Sequence, residues 1–128
     1  MTTHCATALI IAPPGRLRES LRVLVRAVNW IAQIELADDG PAGLRLIADY
    51  SPALVLLDTL LPEEQVWETL RQIKLKRATV RCVVLAQTRA QEQQAQVAGA
   101  DGVLLNGFSS EAFFDLMEVQ KCQKDATT

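Results

Sequence analysis

The side chains in this sequence that could do chemistry are few and widely spread. A lone carboxylate, Asp58, closes the apolar run Leu54-Val55-Leu56-Leu57, and two acidic pairs stand at Asp38-Asp39 and Glu63-Glu64. Paired carboxylates can share a metal ion or divide acid and base roles. Here, however, Asp39-Gly40 has the form of a turn leading into a helix. Glu63-Glu64 follow Pro62, where acids complement the positive end of a helix dipole. Neither pair is assigned to a metal. Pro13-Pro14-Gly15-Arg16 lacks the Gly-Lys-Ser/Thr ending of a P-loop and the glycine spacing of a dinucleotide site. Cys5, Cys82 and Cys122 are an odd number without a Cys-x-x-Cys pair. They read as reduced thiols of a cytosolic protein, with Cys82 a small core residue. His4 is the single histidine and lacks the convergent partners a metal site requires. Enzymatic readings therefore rank low.

Such residues act only if a fold gathers them. With 128 residues, 49% of them hydrophobic, the chain fits one domain with one contiguous core. We expect that domain to span residues 6–121, with 122–128 a polar tail or the start of a linker. The net charge is −2 and the 13 basic residues are spread along the chain, which argues against nucleic-acid binding. No apolar run approaches the ~18–20 residues needed to span a bilayer, so no membrane contact is expected. The polar stretch from Met1 to Thr7 does not read as a signal peptide, and a cytoplasmic location follows as the expectation.

Short apolar runs alternate with longer amphipathic ones. Ala8–Ala12, Ala53–Asp58, Arg81–Ala86 and Gly102–Leu105 suit strands buried on both faces. Ile31–Ala37 is a further strand, and its alternating core Ala32-Gln33-Ile34-Glu35-Leu36 suits a sheet edge. Leu17, Leu21, Leu24 and Val28 share one face of a first helix. Pro41 opens a second, with Leu44, Ile47 and Ala48 inward. A third runs from about Glu64 to Leu75 on Val66, Leu70 and Ile73. The fourth, about Arg89 to Ala98, is rich in glutamine, offers only alanines and Val97 to a core, and should be the loosest element. A fifth begins near Ser109-Ser110, with Glu111, Phe113, Leu116, Met117 and Gln120 along one stripe. Phe113 and Phe114 are adjacent and cannot both face the core. Five strands alternating with five helices predict a three-layer, doubly wound α/β fold with a five-stranded parallel sheet in the order 2-1-3-4-5. Its site lies at the carboxyl ends of the strands, at Ala12-Pro13-Pro14, Asp58-Thr59, Ala86-Gln87 and Asn106-Gly107.

This order of features resembles the receiver domain of two-component response regulators, the CheY-like form of the flavodoxin-like fold. The resemblance spans about Ala6 to Lys121. It is carried by Arg18-Glu19-Ser20-Leu21 at the first helix, Ala37-Asp38-Asp39-Gly40 after the second strand, and Pro52-Ala53-Leu54-Val55-Leu56-Leu57-Asp58 with Pro62 four residues on. Ala98-Gly99-Ala100-Asp101-Gly102 before Val103-Leu104-Leu105 completes it. The resemblance implies that Asp58 stands at the phosphoacceptor position. It also implies an acidic pair after the first strand holding Mg²⁺, a hydroxyl after the fourth, and a lysine followed by proline after the fifth. Those positions hold Ala12 and Pro13, Ala86, and Asn106 with Gly107. An aromatic switch position on the fifth strand holds Val103. Only Asp58 remains of the phosphoryl-transfer set, so no catalytic residue, no metal ligand and no cofactor is assigned, and Mg²⁺ binding is expected to be weak or lost.

The resulting expectation is a pseudo-receiver, not an enzyme, acting in signalling through a protein partner or as a homodimer independently of phosphorylation. The alternative is a working receiver phosphorylated on Asp58 by a histidine kinase. The family's partner surface of fourth helix, fifth strand and fifth helix makes Gln94 and Phe114 the candidate contact residues.

Overall fold

The computed structural model describes residues 6–121. His4, Cys5, Cys122 and the tail expected at 122–128 lie outside the described residues. The chain alternates β1 (Ala6–Ile11), α1 (Arg16–Arg26), β2 (Ile31–Ala37), α2 (Gly40–Tyr50), β3 (Leu54–Asp58), α3 (Glu63–Lys76), β4 (Arg81–Ala86), α4 (Arg89–Val97), β5 (Gly102–Leu105) and α5 (Ser110–Val119). The strands form one parallel sheet in the order β2-β1-β3-β4-β5, as the sequence predicts.

Central β3 is buried along its whole length, which is why its sequence is a continuous apolar run rather than an alternating one. Its side chains divide by parity. Leu54 and Leu56 pack with Leu21 and Val25 of α1 and Phe113 and Met117 of α5. Val55 and Leu57 pack with Ile47 of α2, Val66, Leu70 and Ile73 of α3, and Ala95 of α4. Two helices thus cover one face and three the other. α2 lies close against β1: a Cβ on Gly43 would stand 2.4 Å from Ile11 Cδ1, so glycine is what admits this approach. Asp39 caps α2 by accepting from the Ala42 N–H at 2.9 Å, with proline in the first turn, so the Asp-Gly-Pro sequence is a helix start.

Packing strength differs between helices. The Val, Leu and Ile that α3 buries contribute about 1.5–3 kcal/mol each, whereas α4 buries only the Ala95 methyl. β2 ends the sheet. Its register shifts at Ala32, and its outer polar residues bond each other, Gln33 Nε2 donating to Glu35 Oε2 at 2.7 Å.

Some positions differ from the periodicity. Leu17 and Ala48 are exposed rather than inward, and Glu111 also faces solvent. Leu17 sits in the first turn of α1, beyond the reach of the sheet, and Gly43 rather than Ala48 completes the inner face of α2. Val28 is buried, but it lies past the end of α1, its N–H donating to the Val25 carbonyl. β1 begins at Ala6 and ends at Ile11, one residue short of Ala12.

Candidate functional site

The carboxyl ends of β1, β3, β4 and β5 bring together Ala12, Asp58, Ala86 and Asn106. Ile11 pairs with Leu57, which sets Ala12 beside Asp58, and Asp58 pairs with Leu85 on its other side. The Asn106 N–H donates to the Ala86 carbonyl at 2.7 Å, extending the β4–β5 ladder by one rung.

Asp58 is 1% exposed. Its Oδ1 accepts from the Leu60 N–H at 3.0 Å, and its Oδ2 is buried without a hydrogen-bond partner. Burial pushes the carboxyl above its ordinary range, against the smaller opposing pull of the Leu60 N–H. The neighbouring Thr59 is also buried and committed: its Oγ1 and N–H both donate to the Leu85 carbonyl, at 2.7 and 3.1 Å. Leu60 turns outward and is 53% exposed.

At the end of β1, Ala12 is fully buried and Pro13 half-buried; neither brings a side-chain oxygen. A cation stands there instead. Arg18 Nη1 donates to Asp38 Oδ1 at 2.6 Å and, at 3.3 Å, to the Ala12 carbonyl. The Arg18 side chain is only 14% exposed, and its Nε is buried without a partner. Sequence reasoning placed Arg18 only at a helix start and missed this contact. The available signal was electrostatic, because a cation in the first turn of a helix opposes the dipole and calls for an anionic partner.

The remaining acids are accounted for. Asp38 pairs with Arg18, Asp39 caps α2, and Glu63 and Glu64 lie exposed in the first turn of α3. Among the described residues no group of three or more His, Cys, Asp or Glu could hold a metal ion. A hard divalent cation needs several oxygen ligands in near-octahedral array. Asp58 alone does not supply them, so the residues present do not fit Mg²⁺.

After β4, Ala86 is buried and without a hydroxyl, and the Gln87 N–H donates to Gln91 Oε1 at 2.8 Å. Thr88 is the N-cap of α4, its Oγ1 accepting from the Gln91 N–H at 3.1 Å, so it does not substitute for the missing hydroxyl. Asn106 is exposed, and Gly107 turns the loop after it with φ +92°, a left-handed conformation that disfavours other residues.

On the flank formed by α4, β5 and α5, Gln94 is exposed and Val97 is 88% exposed. Phe113 is buried and Phe114 half-buried, their rings edge to face at 5.2 Å. Trp30 is a packing residue whose Nε1 donates to the Met117 carbonyl at 3.2 Å. Trp67 is half-buried on α3, packed against the core beneath it. Cys82 is fully buried, with its thiol pushed up to about 12 by burial. Asp101 was not singled out as a site residue, yet it ties three elements together. Its Oδ2 accepts from Lys74 Nζ and from the Cys82 N–H, both at 2.8 Å.

Comparison with known proteins agrees with this architecture. The family model described as the response regulator receiver domain matches residues 9–118. The transcriptional regulatory protein YdfI of Bacillus subtilis is 30% identical over 106 residues, covering 80% of this chain and 48% of that protein. The nitrate/nitrite response regulator protein NarL of Escherichia coli is 32% identical over 108 residues, covering 83% and 50%. The chain therefore spans about half the length of these curated relatives. A CheY-like response regulator receiver domain protein from Methanospirillum hungatei superposes with a TM-score of 0.81, covering 97% of this chain and 99% of that one. At 16% identity it speaks to the fold alone. Among the described residues no helix is long and apolar enough to cross a membrane.

Proposed function

The chain belongs to the response regulator receiver family of two-component systems, and from that premise we propose that it is a pseudo-receiver. On this reading it is a signalling module whose output is set by contact with a protein partner or a second copy, independently of aspartyl phosphate. The observation that carries the reading is the state of Asp58, a buried carboxyl with an unpartnered Oδ2, set beside Ala12 where a receiver would hold an acid and a metal. Phosphoryl transfer depends on positioning and on neutralising the developing charge. A phosphoryl group on Asp58 would add roughly 1.5–2 negative charges. Burial also holds the carboxyl towards its neutral form, a poor nucleophile.

The half-buried Phe114 and the exposed Gln94 and Val97 make the α4–β5–α5 flank the candidate contact surface. Phe114→Ala, or a charge introduced at Gln94, is expected to weaken self-association, with sedimentation velocity as the readout. A working phosphoacceptor modified by a histidine kinase is the competing reading, and it rests on Asp58 standing at the end of β3 with Pro62 four residues on. An amide NMR titration with Mg²⁺ and then beryllofluoride, a mimic of the aspartyl phosphoryl group, separates the two. A silent spectrum from folded protein is the expected result. Shifts clustered at Asp58, Ala86 and Asn106 would overturn the pseudo-receiver reading.

A further inference from the structure

A groove of about 180 Å³ runs between α2 and α3, lined by the apolar side chains of Leu44, Ile47, Ala48 and Ile73. Gln72, Lys76 and Arg77 form its rim. It lies at the helix ends that lead into the starts of β3 and β4, so it opens at the opposite end of the sheet from Asp58.

Two features of the groove point to what it takes. The first is charge. Basic residues are spread over the whole chain, yet Arg71, Lys74, Lys76, Arg77 and Arg81 fall between Leu70 and Arg81 with no acid among them. Arg71 pairs with Glu68, and Lys74 and Arg81 with Asp101, which leaves the rim cations Lys76 and Arg77 without an anionic partner among the described residues. No acid lines the groove. The second feature is size. The groove is smaller than the ~300 Å³ at which small-molecule pockets begin, but it has room for one large side chain, the usual anchor of a protein contact.

We infer that this groove is a docking site for an acidic segment of a protein partner, which seats one large apolar side chain between α2 and α3 and sets its carboxylates on Lys76 and Arg77. The apolar floor selects against phosphate-rich ligands, which would meet cations at the rim and nothing polar beneath. The rim cations supply orientation and salt-dependent association, while the anchor supplies affinity. The site stands whichever way Asp58 is read, because it shares no residue with the strand-end cluster.

The test uses the whole chain, ¹⁵N-labelled, and a synthetic peptide of six acidic residues flanking a central tryptophan. The expected result is amide shifts centred on Leu44, Ile47 and Ile73. The serine-for-tryptophan peptide should bind at least fivefold more weakly. Lys76→Glu combined with Arg77→Glu should weaken the tryptophan peptide roughly tenfold. Both residues are exposed, so the double variant retains its core. Ala48→Trp, a substitution at an exposed position on the groove wall, should block binding without touching a charge. Equal binding of the serine peptide would reduce the surface to charge alone and overturn the proposal. Shifts absent from the groove would overturn it too. So would a duplex DNA or phosphatidylglycerol vesicle that moves the same amides while the peptide does not.

Discussion

Replacing Asp58 by asparagine should stabilise the protein at neutral pH. The substitution is isosteric. The amide oxygen can keep the 3.0 Å bond from the Leu60 N–H, while the unpartnered Oδ2 becomes a neutral amide nitrogen. A neutral buried polar group without a partner costs about 1–3 kcal/mol, and the ionised oxygen at the same place costs more. Each unit by which burial lifts a carboxyl corresponds to about 1.4 kcal/mol lost once pH passes its folded-state value. The expected net gain for Asp58→Asn at pH 7 is about 1–2 kcal/mol, a rise of roughly 4–7 °C in Tm for a chain of this size. The sign with pH follows from proton uptake. With its carboxyl raised in the folded state, the native protein binds more protons than the unfolded chain between the two values. Stability contributed by the protonated Asp58 is therefore complete below the ordinary carboxyl value near 4 and is lost as pH climbs through the raised one. Urea denaturation of both proteins between pH 3.5 and 8 isolates this group, since all other titrations cancel in the difference. The curves should coincide at the acid end and diverge upwards. A difference that stays flat with pH, or an asparagine variant less stable at pH 7, would mean that a cation compensates Asp58 and that the reasoning is wrong.

Three further outcomes follow from the packing. Gly43→Ala places a methyl 2.4 Å from Ile11 Cδ1 and should cost about 1–3 kcal/mol in chemical denaturation, with α2 displaced from the sheet. Asp101→Ala strands the Cys82 N–H and removes the Lys74 partner; a loss of about 2 kcal/mol and faster hydrogen exchange at the Cys82 amide are expected. Restoring Ala12→Asp, Pro13→Asp and Asn106→Lys together should yield Mg²⁺ binding by calorimetry only when Arg18→Ala is added, because the guanidinium on the Ala12 carbonyl repels the metal. Equal metal binding with Arg18 intact would show that the arginine side chain swings clear.

The sequence exposes those parts of the fold that are written in local periodicity. Leu54 to Leu57 form a run too short and too apolar for anything but a central strand. Asp39-Gly40-Pro41 combines a capping oxygen with a residue suited to a first helical turn. The absence of side-chain oxygens at Ala12, Pro13 and Ala86 is equally visible, since it is a matter of residue identity. Other features depend on three-dimensional meeting and leave no local trace. Arg18 and Asp38 are twenty residues apart and join only because β1 and β2 are neighbours. Leu17 obeys the helical spacing yet is exposed, because spacing fixes a face but not how far the sheet extends beneath it. Lys76 and Arg77 read as an ordinary solvated helix end. They become the rim of a groove only when α2 is laid beside α3.

The way β2 ends the sheet bears on how the protein behaves when crowded. An open parallel edge seven residues long presents unpaired backbone groups that could template a foreign strand. The register shift at Ala32 interrupts that edge near its start, and the exposed Gln33–Glu35 pair sets a carboxylate along it, so an incoming strand would meet broken spacing and a charge at once. At the other margin β5 has four residues, too short to recruit a partner strand with much gain. Among the described residues the sheet is thus open at both sides, while neither edge has the long, flat, uncharged character from which intermolecular β-aggregation grows.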